Sequence, residues 1–282
     1  MYDDAGGDAG AAPMGVPGFS RFNIEGLIPL VLLVIIGIAS LNYFGVVNIP
    51  FLPQGSQNMQ VLFIGQPSLG EKVVLDNLSY MLTYRVRDAA SFGNAASEEL
   101  SQYDMVILDQ TSADKSVTVA LGEATENYVK KGGKLVIVSN SGIYQSVGFA
   151  GYTSSDVIGW KANFGEIVPV ECVLGADSVP VCAEGKELNI VGRIRRQVYD
   201  HPIMQGVELT PPVTSPPYSM RVLDVQSTTG TKTIAYVQAE NTPKSYPAIV
   251  EKKSFPFGTV VYFNYDPGLT PGILTNTIRY LK

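Results

Sequence analysis

Between Gly26 and Gly70 no side chain is charged, and from Leu27 to Leu41 almost every position is aliphatic. Such a run has no polar face to turn to solvent, unlike the amphipathic helices of a globular domain. As a helix rising about 1.5 Å per residue, 27–47 spans roughly 32 Å, the thickness of a bilayer core. The pattern therefore predicts one transmembrane signal-anchor helix over 24–47. Before it, residues 1–23, rich in Gly, Ala and Asp, read as a disordered tail. After it, 48–58 carries Pro50 and Pro53 and reads as a stiff stalk that cannot continue a helix. Residues 59–282 are left to form a folded head.

In the head the period changes. Gln60 to Gly65 is a short apolar run ending in glycine, as expected of a strand buried on both faces. Val73, Val74, Leu78, Met81 and Leu82 recur at helical spacing and predict a helix over 69–84. Short strands are expected at 84–87 and 105–109, a short helix at 97–102, a longer one at 116–130 stopped by Gly132-Gly133, and a strand at 134–139. This β-α-β-α-β-α-β alternation builds a parallel sheet with helices on both faces. From about Gly142 the rhythm turns β-rich. Strands are expected at 167–174, 179–183, 188–195, 219–225, 231–238 and 248–251, with a closing core strand at 258–264 and a last helix at 270–281.

Composition narrows the function. The net charge is −6 and the pI about 4.9, so no basic stripe exists to neutralise phosphates, and nucleic acid is excluded as a partner. The one dense basic group, Arg193, Arg195 and Arg196, sits in an alternating run and reads as a solvated strand face. Arg21 is the only basic residue ahead of the apolar run. The positive-inside rule then places the N-terminus in the cytoplasm and the C-terminal domain outside it. A cleaved signal peptide, cut after Gly37-Ile38-Ala39, stays open as a second reading; both readings export the head. Cys172 and Cys182 flank a strand–turn–strand stretch centred on Asp177, which sets the two residues opposite each other and within reach of a disulfide. Oxidation suits an exported head, and two buried free thiols are the other reading. No metal site is expected, because the single histidine lies far from both thiols. Neither a Gly-x-Gly-x-x-Gly nor a Walker pattern occurs, and no cofactor is expected.

Three segments carry a family resemblance. Tyr103 to Asp109, followed by a helix ending Asn127-Tyr-Val-Lys-Lys-Gly-Gly-Lys-Leu-Val-Ile-Val138, resembles the central strand–helix–strand of class I glutamine amidotransferase-like domains. Asp200-His-Pro-Ile-Met-Gln-Gly-Val207 is similar to a loop of their trehalose-utilisation-type relatives. Gly258 to Gly268 with the last helix resembles the family's closing strand and helix. The resemblance covers about 59–282 and implies a flavodoxin-like three-layer α/β fold, here with a β-rich C-terminal elaboration. It implies no activity. The family's nucleophile is a cysteine on a Gly-x-Cys-x-Gly elbow, where this chain reads Val138-Ser-Asn-Ser-Gly-Ile143, and the family's catalytic histidine has no counterpart. Degenerate, membrane-linked members bind partners or glycans.

Ligands of open parallel sheets gather at the carboxyl ends of the strands. Those ends supply Gln66, Asp109, Asn140, Ser141 and Asp266 as candidate ligand-binding residues, with Gln110 and Ser139 beside them. A catalytic alternative takes Ser139 or Ser141 as nucleophile, His201 as base and Asp109 or Asp266 as the orienting acid. Against it, His201 precedes a proline in a loop where imidazole caps backbone, and Asp109 and Asp266 serve equally as caps. The expectation is a membrane-anchored, catalytically inactive interaction, scaffold or ligand-binding subunit of an envelope or membrane complex. Its partners would be the bilayer, through 27–47, other membrane or envelope proteins, and a glycan held by exposed tyrosines. The alternative is an exported hydrolase or carbohydrate-processing enzyme.

Overall fold

The computed structural model describes residues 24–43, 58–147, 152–153, 159–176, 178–240, 243–255 and 257–282. Residues 1–57 and 58–282 form two units. In the first, helix α1 runs Ile24–Tyr43 with Pro29 inside it, and its apolar side chains from Ile28 to Leu41 are exposed. Among the described residues no helix is long and apolar enough to cross a membrane. The expected span extends to residue 47, and residues 44–47, the tail 1–23 and all of the stalk except Asn58 lie outside the described part.

The head is built on one sheet. Its strands are β1 (Met59–Gly65), β2 (Leu82–Arg87), β3 (Met105–Asp109), β5 (Lys134–Val138) and β15 (Gly258–Phe263), all parallel, with β9 (Leu188–Arg196), β10 (Leu209–Thr210), β11 (Tyr218–Val222), β13 (Thr231–Ala239) and β14 (Ser245–Ser254) added antiparallel. Among the described residues the order is β10-β9-β13-β14-β15-β5-β3-β1-β2, with β11 also pairing β9. Taken alone, the five parallel strands lie second, first, third, fourth, fifth, the flavodoxin-like order, with its switch point between β1 and β3. Of the expected β-rich elaboration, β9, β10, β11, β13 and β14 continue the same sheet from β15 outward.

Alternation along the strands separates two cores. Val61, Phe63 and Ile107 face α2 (Leu69–Asn77) and α6 (Pro271–Leu281). Leu62, Ile64 and Leu108 face α3 (Ala96–Leu100), α4 (Val119–Lys130) and α5 (Trp160–Phe164). Every buried residue of both clusters falls between Met59 and Leu281.

Several boundaries differ from the sequence expectation. The helix expected over 69–84 stops at Asn77. Leu78 donates its N–H back to Val74 and Leu75 carbonyls, and the apolar residues beyond it serve a turn and the start of β2, where Leu82 pairs with Met59. The helix expected from Ser116 begins at Val119: residues 116–118 form β4, paired with β6 (Tyr144–Val147), and the Thr118 hydroxyl caps Leu121 N–H at 3.1 Å. Strand β7 (Tyr152–Thr153), which pairs with β6, and helix α5 had no sequence expectation. The strand expected over 167–174 shrinks to β8 (Val170–Cys172), and its ladder partner is β12 (Val225–Ser227). The strand expected over 179–183 is reduced to a single bridge, Leu174 to Pro180, since proline offers no N–H for a ladder. The strand expected over 219–225 divides at Leu223, whose N–H and C=O are both taken by the Asn264 amide at 2.8 Å. Strand β14 is longer than expected because Pro247 lies outside the stretch paired to β15, where its missing donor costs nothing.

Cys172 and Cys182 are joined in a disulfide, with Cα atoms 5.7 Å apart. The Leu174–Pro180 bridge has the register that sets 172 opposite 182. The centre of that register, Asp177, lies outside the described residues.

Candidate functional site

The carboxyl ends of β3, β5 and β15 open into a cavity of about 470 Å³. Thr111, Ser139, Asn140, Asp266 and Leu269 form its floor, and its walls come from Lys115, from Glu184, Gly185 and Glu187, and from Ser219, Met220 and Arg221 at β11. Asn140 holds one wall in place by donating to Glu187 Oε1 at 2.9 Å and to the Cys182 carbonyl at 3.5 Å. Lys115, almost fully buried, reaches the exposed Glu184 carboxylate at 3.1 Å. The rim thus carries both signs of charge. A hollow of about 560 Å³ beside Cys172 is larger, but it lies away from the carboxyl ends of the parallel strands; of its four charged residues, Lys161 and Glu166 pair at 2.6 Å, and Glu171 and Lys252 complete the rim.

Ser139 is the first residue after β5 and has φ of +50°, a left-handed conformation uncommon for a side chain with a Cβ. This is the backbone shape of a nucleophile elbow, which presents a hydroxyl or thiol above the sheet. Its hydroxyl makes no hydrogen bond among the described residues and borders the cavity. The rest of an elbow is missing: no helix follows, and the chain turns at 139–142 and enters β6. Ser141, by contrast, is committed to structure, its hydroxyl accepting the Gln110 N–H at 2.7 Å.

No hydrogen bond among the described residues joins His201 to these serines. Its Nδ1 accepts the Ile203 N–H at 3.4 Å, capping the turn Pro202–Met204, and its Nε2 lies 3.4 Å from Glu251 Oε2. Tyr280 packs edge-on against the ring and donates its hydroxyl to Glu251 Oε1 at 2.5 Å. Burial raises the Glu251 carboxyl, but the hydrogen bonds from His201 and Tyr280, with Lys253 nearby, outweigh it and hold the group below the usual range. With Nδ1 accepting and Nε2 turned to a carboxylate, the imidazole has no lone pair left for a serine proton.

Asp109 lies beneath the cavity floor, fully buried, and accepts the Thr111 N–H and hydroxyl on Oδ1 at 2.8 and 2.6 Å. Its neighbour is Glu71, which was not among the residues singled out from the sequence. Ser68 and Glu71 form a capping box at the start of α2: Glu71 N–H donates to Ser68 Oγ at 3.2 Å and Ser68 N–H to Glu71 Oε2 at 2.8 Å. The Ser68 hydroxyl then donates to Asp266 Oδ1 at 2.9 Å, and the same oxygen caps the turn Pro267–Leu269 through Gly268 N–H at 2.8 Å. Glu71 Oε1 and Asp109 Oδ2 are buried with no hydrogen-bond partner among the described residues. Burial, and then the Asp109 charge, push Glu71 up to about 9. Burial pushes Asp109 up to about 6, against the two Thr111 hydrogen bonds. At neutral pH Glu71 therefore holds a proton and faces Asp109 as an acid facing a carboxylate.

Of the five candidate ligand residues, Asn140 and Asp266 line the cavity, while Asp109 and Ser141 are buried outside its lining and Gln66 is exposed away from it. Lys115 and Arg221 were missed. The signal for Lys115 was a lone lysine in the loop after a core strand. Arg221 carried none, because β11 reaches the cavity only through its pairing with β9. The described residues contain no group of side chains able to hold a metal ion.

No protein-family model matches the chain, and no curated protein matches it. Among solved structures, the chain is similar to a β-galactosidase from Rahnella sp. R3, with TM-score 0.51 and 12% identity over 80% of this chain and 31% of that one. It also matches a ThuA-like protein from Parabacteroides merdae, with TM-score 0.47 and 12% identity over 80% of this chain and 91% of the other. A GMP-synthase-type protein from Thermoplasma acidophilum matches with TM-score 0.43 and 11% identity over 80% and 95%. The chain spans about a third of the length of the β-galactosidases it matches. At such identity, the likeness to the Rahnella protein is one of fold alone: an α/β chain with a flavodoxin-like sheet.

Proposed function

We propose that this protein is a membrane-tethered, catalytically inactive member of the class I amidotransferase-like group, whose head binds a ligand or partner at the strand-end cavity within an envelope or membrane complex. The observation that carries the reading is the imidazole of His201, the only histidine, with both nitrogens engaged at a turn and at Glu251. With no cysteine, no helix after the elbow and the only histidine committed to a turn and to Glu251, the usual base of a serine or cysteine nucleophile is not supplied. The cavity nevertheless keeps its volume and its polar rim, as a binding site requires. The uncharged stretch 26–70 supports a bilayer anchor through 27–47, and the disulfide suits an extracytoplasmic head. Other membrane or envelope proteins and glycans are the partner classes this reading favours.

A second reading, an exported hydrolase, is favoured by one feature: the open hydroxyl of Ser139 on a left-handed backbone. A fluorophosphonate probe separates the two, since it captures only activated serines. Treated with the probe, the full chain should carry no adduct on Ser139 and should hydrolyse no p-nitrophenyl ester above background. A covalent adduct that Ser139→Ala removes would overturn the inactive reading.

A further inference from the structure

The parallel strands of the head all begin at one end. Their register aligns Val61 with Met105, Met105 with Lys134, and Lys134 with Thr259. At this end the β14–β15 hairpin presents Phe255, 94% exposed, and Phe257, 49% exposed. Lysines surround them. Lys134 Nζ donates to the Phe257 carbonyl at 2.8 Å, Lys130 and Lys131 stand exposed where α4 ends, and Lys253 is exposed just before Phe255. At the far side of the same end, Tyr80 is exposed beside the start of β2 and its hydroxyl accepts from Arg279 at 3.1 Å. Four strand spacings of about 4.8 Å separate the two groups, a face roughly 19 Å wide.

An acidic partner already holds Lys130, which leaves Lys131, Lys134 and Lys253 as the basic groups of this face. Glu126 pairs with Lys130 at 2.7 Å, Asp104 accepts the Gln60 N–H at 2.8 Å, and Asp76 accepts the Tyr84 hydroxyl at 2.8 Å. A chain of net charge −6 has thus gathered basic side chains around exposed aromatic rings at one end of its sheet. The chain also enters the head here, through Asn58.

We infer that this end of the head is a membrane-contact surface, with Phe255 and Phe257 entering the headgroup layer of an anionic bilayer and the lysines engaging its phosphates. Aromatic rings settle at the boundary between headgroups and acyl chains, and lysine stems lie along apolar surface while the ammonium groups stay with the anions. The strand-end cavity, at the opposite end of the sheet, then faces away from the lipid. The contact belongs to the head's own side chains and does not depend on the tether.

The test uses the full chain with vesicles of phosphatidylcholine and phosphatidylglycerol that carry a brominated acyl-chain lipid. Phe255→Trp places a reporter at the hairpin, and Leu69→Trp places one at the start of α2, 86% exposed at the other end of the sheet. The native Trp160 is buried and sets the baseline. Emission from Phe255→Trp should shift to the blue and be quenched by the brominated lipid, while Leu69→Trp should keep the emission of a solvated ring. Phosphatidylcholine alone, or raised salt, should weaken the quenching, because screening acts on the lysines. Unquenched emission from Phe255→Trp while the chain stays with the vesicles, or equal quenching of both variants, would overturn the inference. Failure of the tether reads differently: alkaline carbonate would strip the chain from vesicles even though the hairpin reporter is quenched at neutral pH and low salt.

Discussion

Glu71 and Asp109 are the most perturbed acids near the site, and the perturbation has a direction that can be measured. Both folded-state values lie above those of an unfolded chain, so between about pH 4 and 9 the native head holds more protons than the unfolded one. The stability this pair contributes is complete at the acid side and is lost as pH rises through about 6 and then about 9. Glu71→Gln keeps an oxygen for the Ser68 N–H and sets a permanent N–H donor against Asp109. Denaturation midpoints of this variant, measured between about pH 5 and 9, should slope less steeply than those of the parent; an unchanged slope would show that the pair does not share a proton. The Ser-x-x-Glu spacing at 68–71 was readable as a capping box. What it could not give was the second use of Glu71, because Asp109 sits on another strand and meets it only across the switch point.

Among the elements, the Cys172–Cys182 hairpin is the most legible from sequence and the most dependent on its covalent bond. Its strands are short, one is broken by Pro180, and β8 finds its ladder partner in β12 instead of in the hairpin itself. With so few hydrogen bonds, closing a loop of this size contributes about 2–3 kcal/mol through the unfolded chain. Cys172→Ser with Cys182→Ser should lower unfolding free energy by about that amount in urea titrations. It should also free the segment that Asn140 ties over the cavity, seen as faster hydrogen exchange at 184–187. No loss of stability would mean the hairpin is held by its contacts alone. The helix expected to run to Tyr84 shows the opposite case. Apolar residues at helical spacing continued past Asn77, but Leu82 had a strand neighbour in Met59, and tertiary pairing overrode the period.

At the scale of the whole molecule, the head carries its own stability. Both cores close between Met59 and Leu281, one on each face of a single sheet. A chain beginning at Asn58 should therefore fold, unfold in one cooperative transition, and match the head of the full protein in far-UV circular dichroism. Loss of cooperativity would show that the first 57 residues supply part of the fold. The sheet also sets the cavity and the basic aromatic face at opposite ends, so a molecule resting on lipid by one end offers the other to partners.

The sequence by itself determined the alternation of core strands and helices, the uncharged stretch near its start, the register of the two cysteines and the absence of a cysteine elbow. Each of these is local: it depends on the period, charge or spacing of residues close together in the chain. Only the tertiary structure decided that the late strands extend the parallel sheet, that Glu71 meets Asp109, that Arg221 reaches the cavity, and that His201 serves a turn and Glu251. Those outcomes bring together residues far apart in the chain, chosen by which buried faces and unpaired backbone groups can satisfy one another in three dimensions.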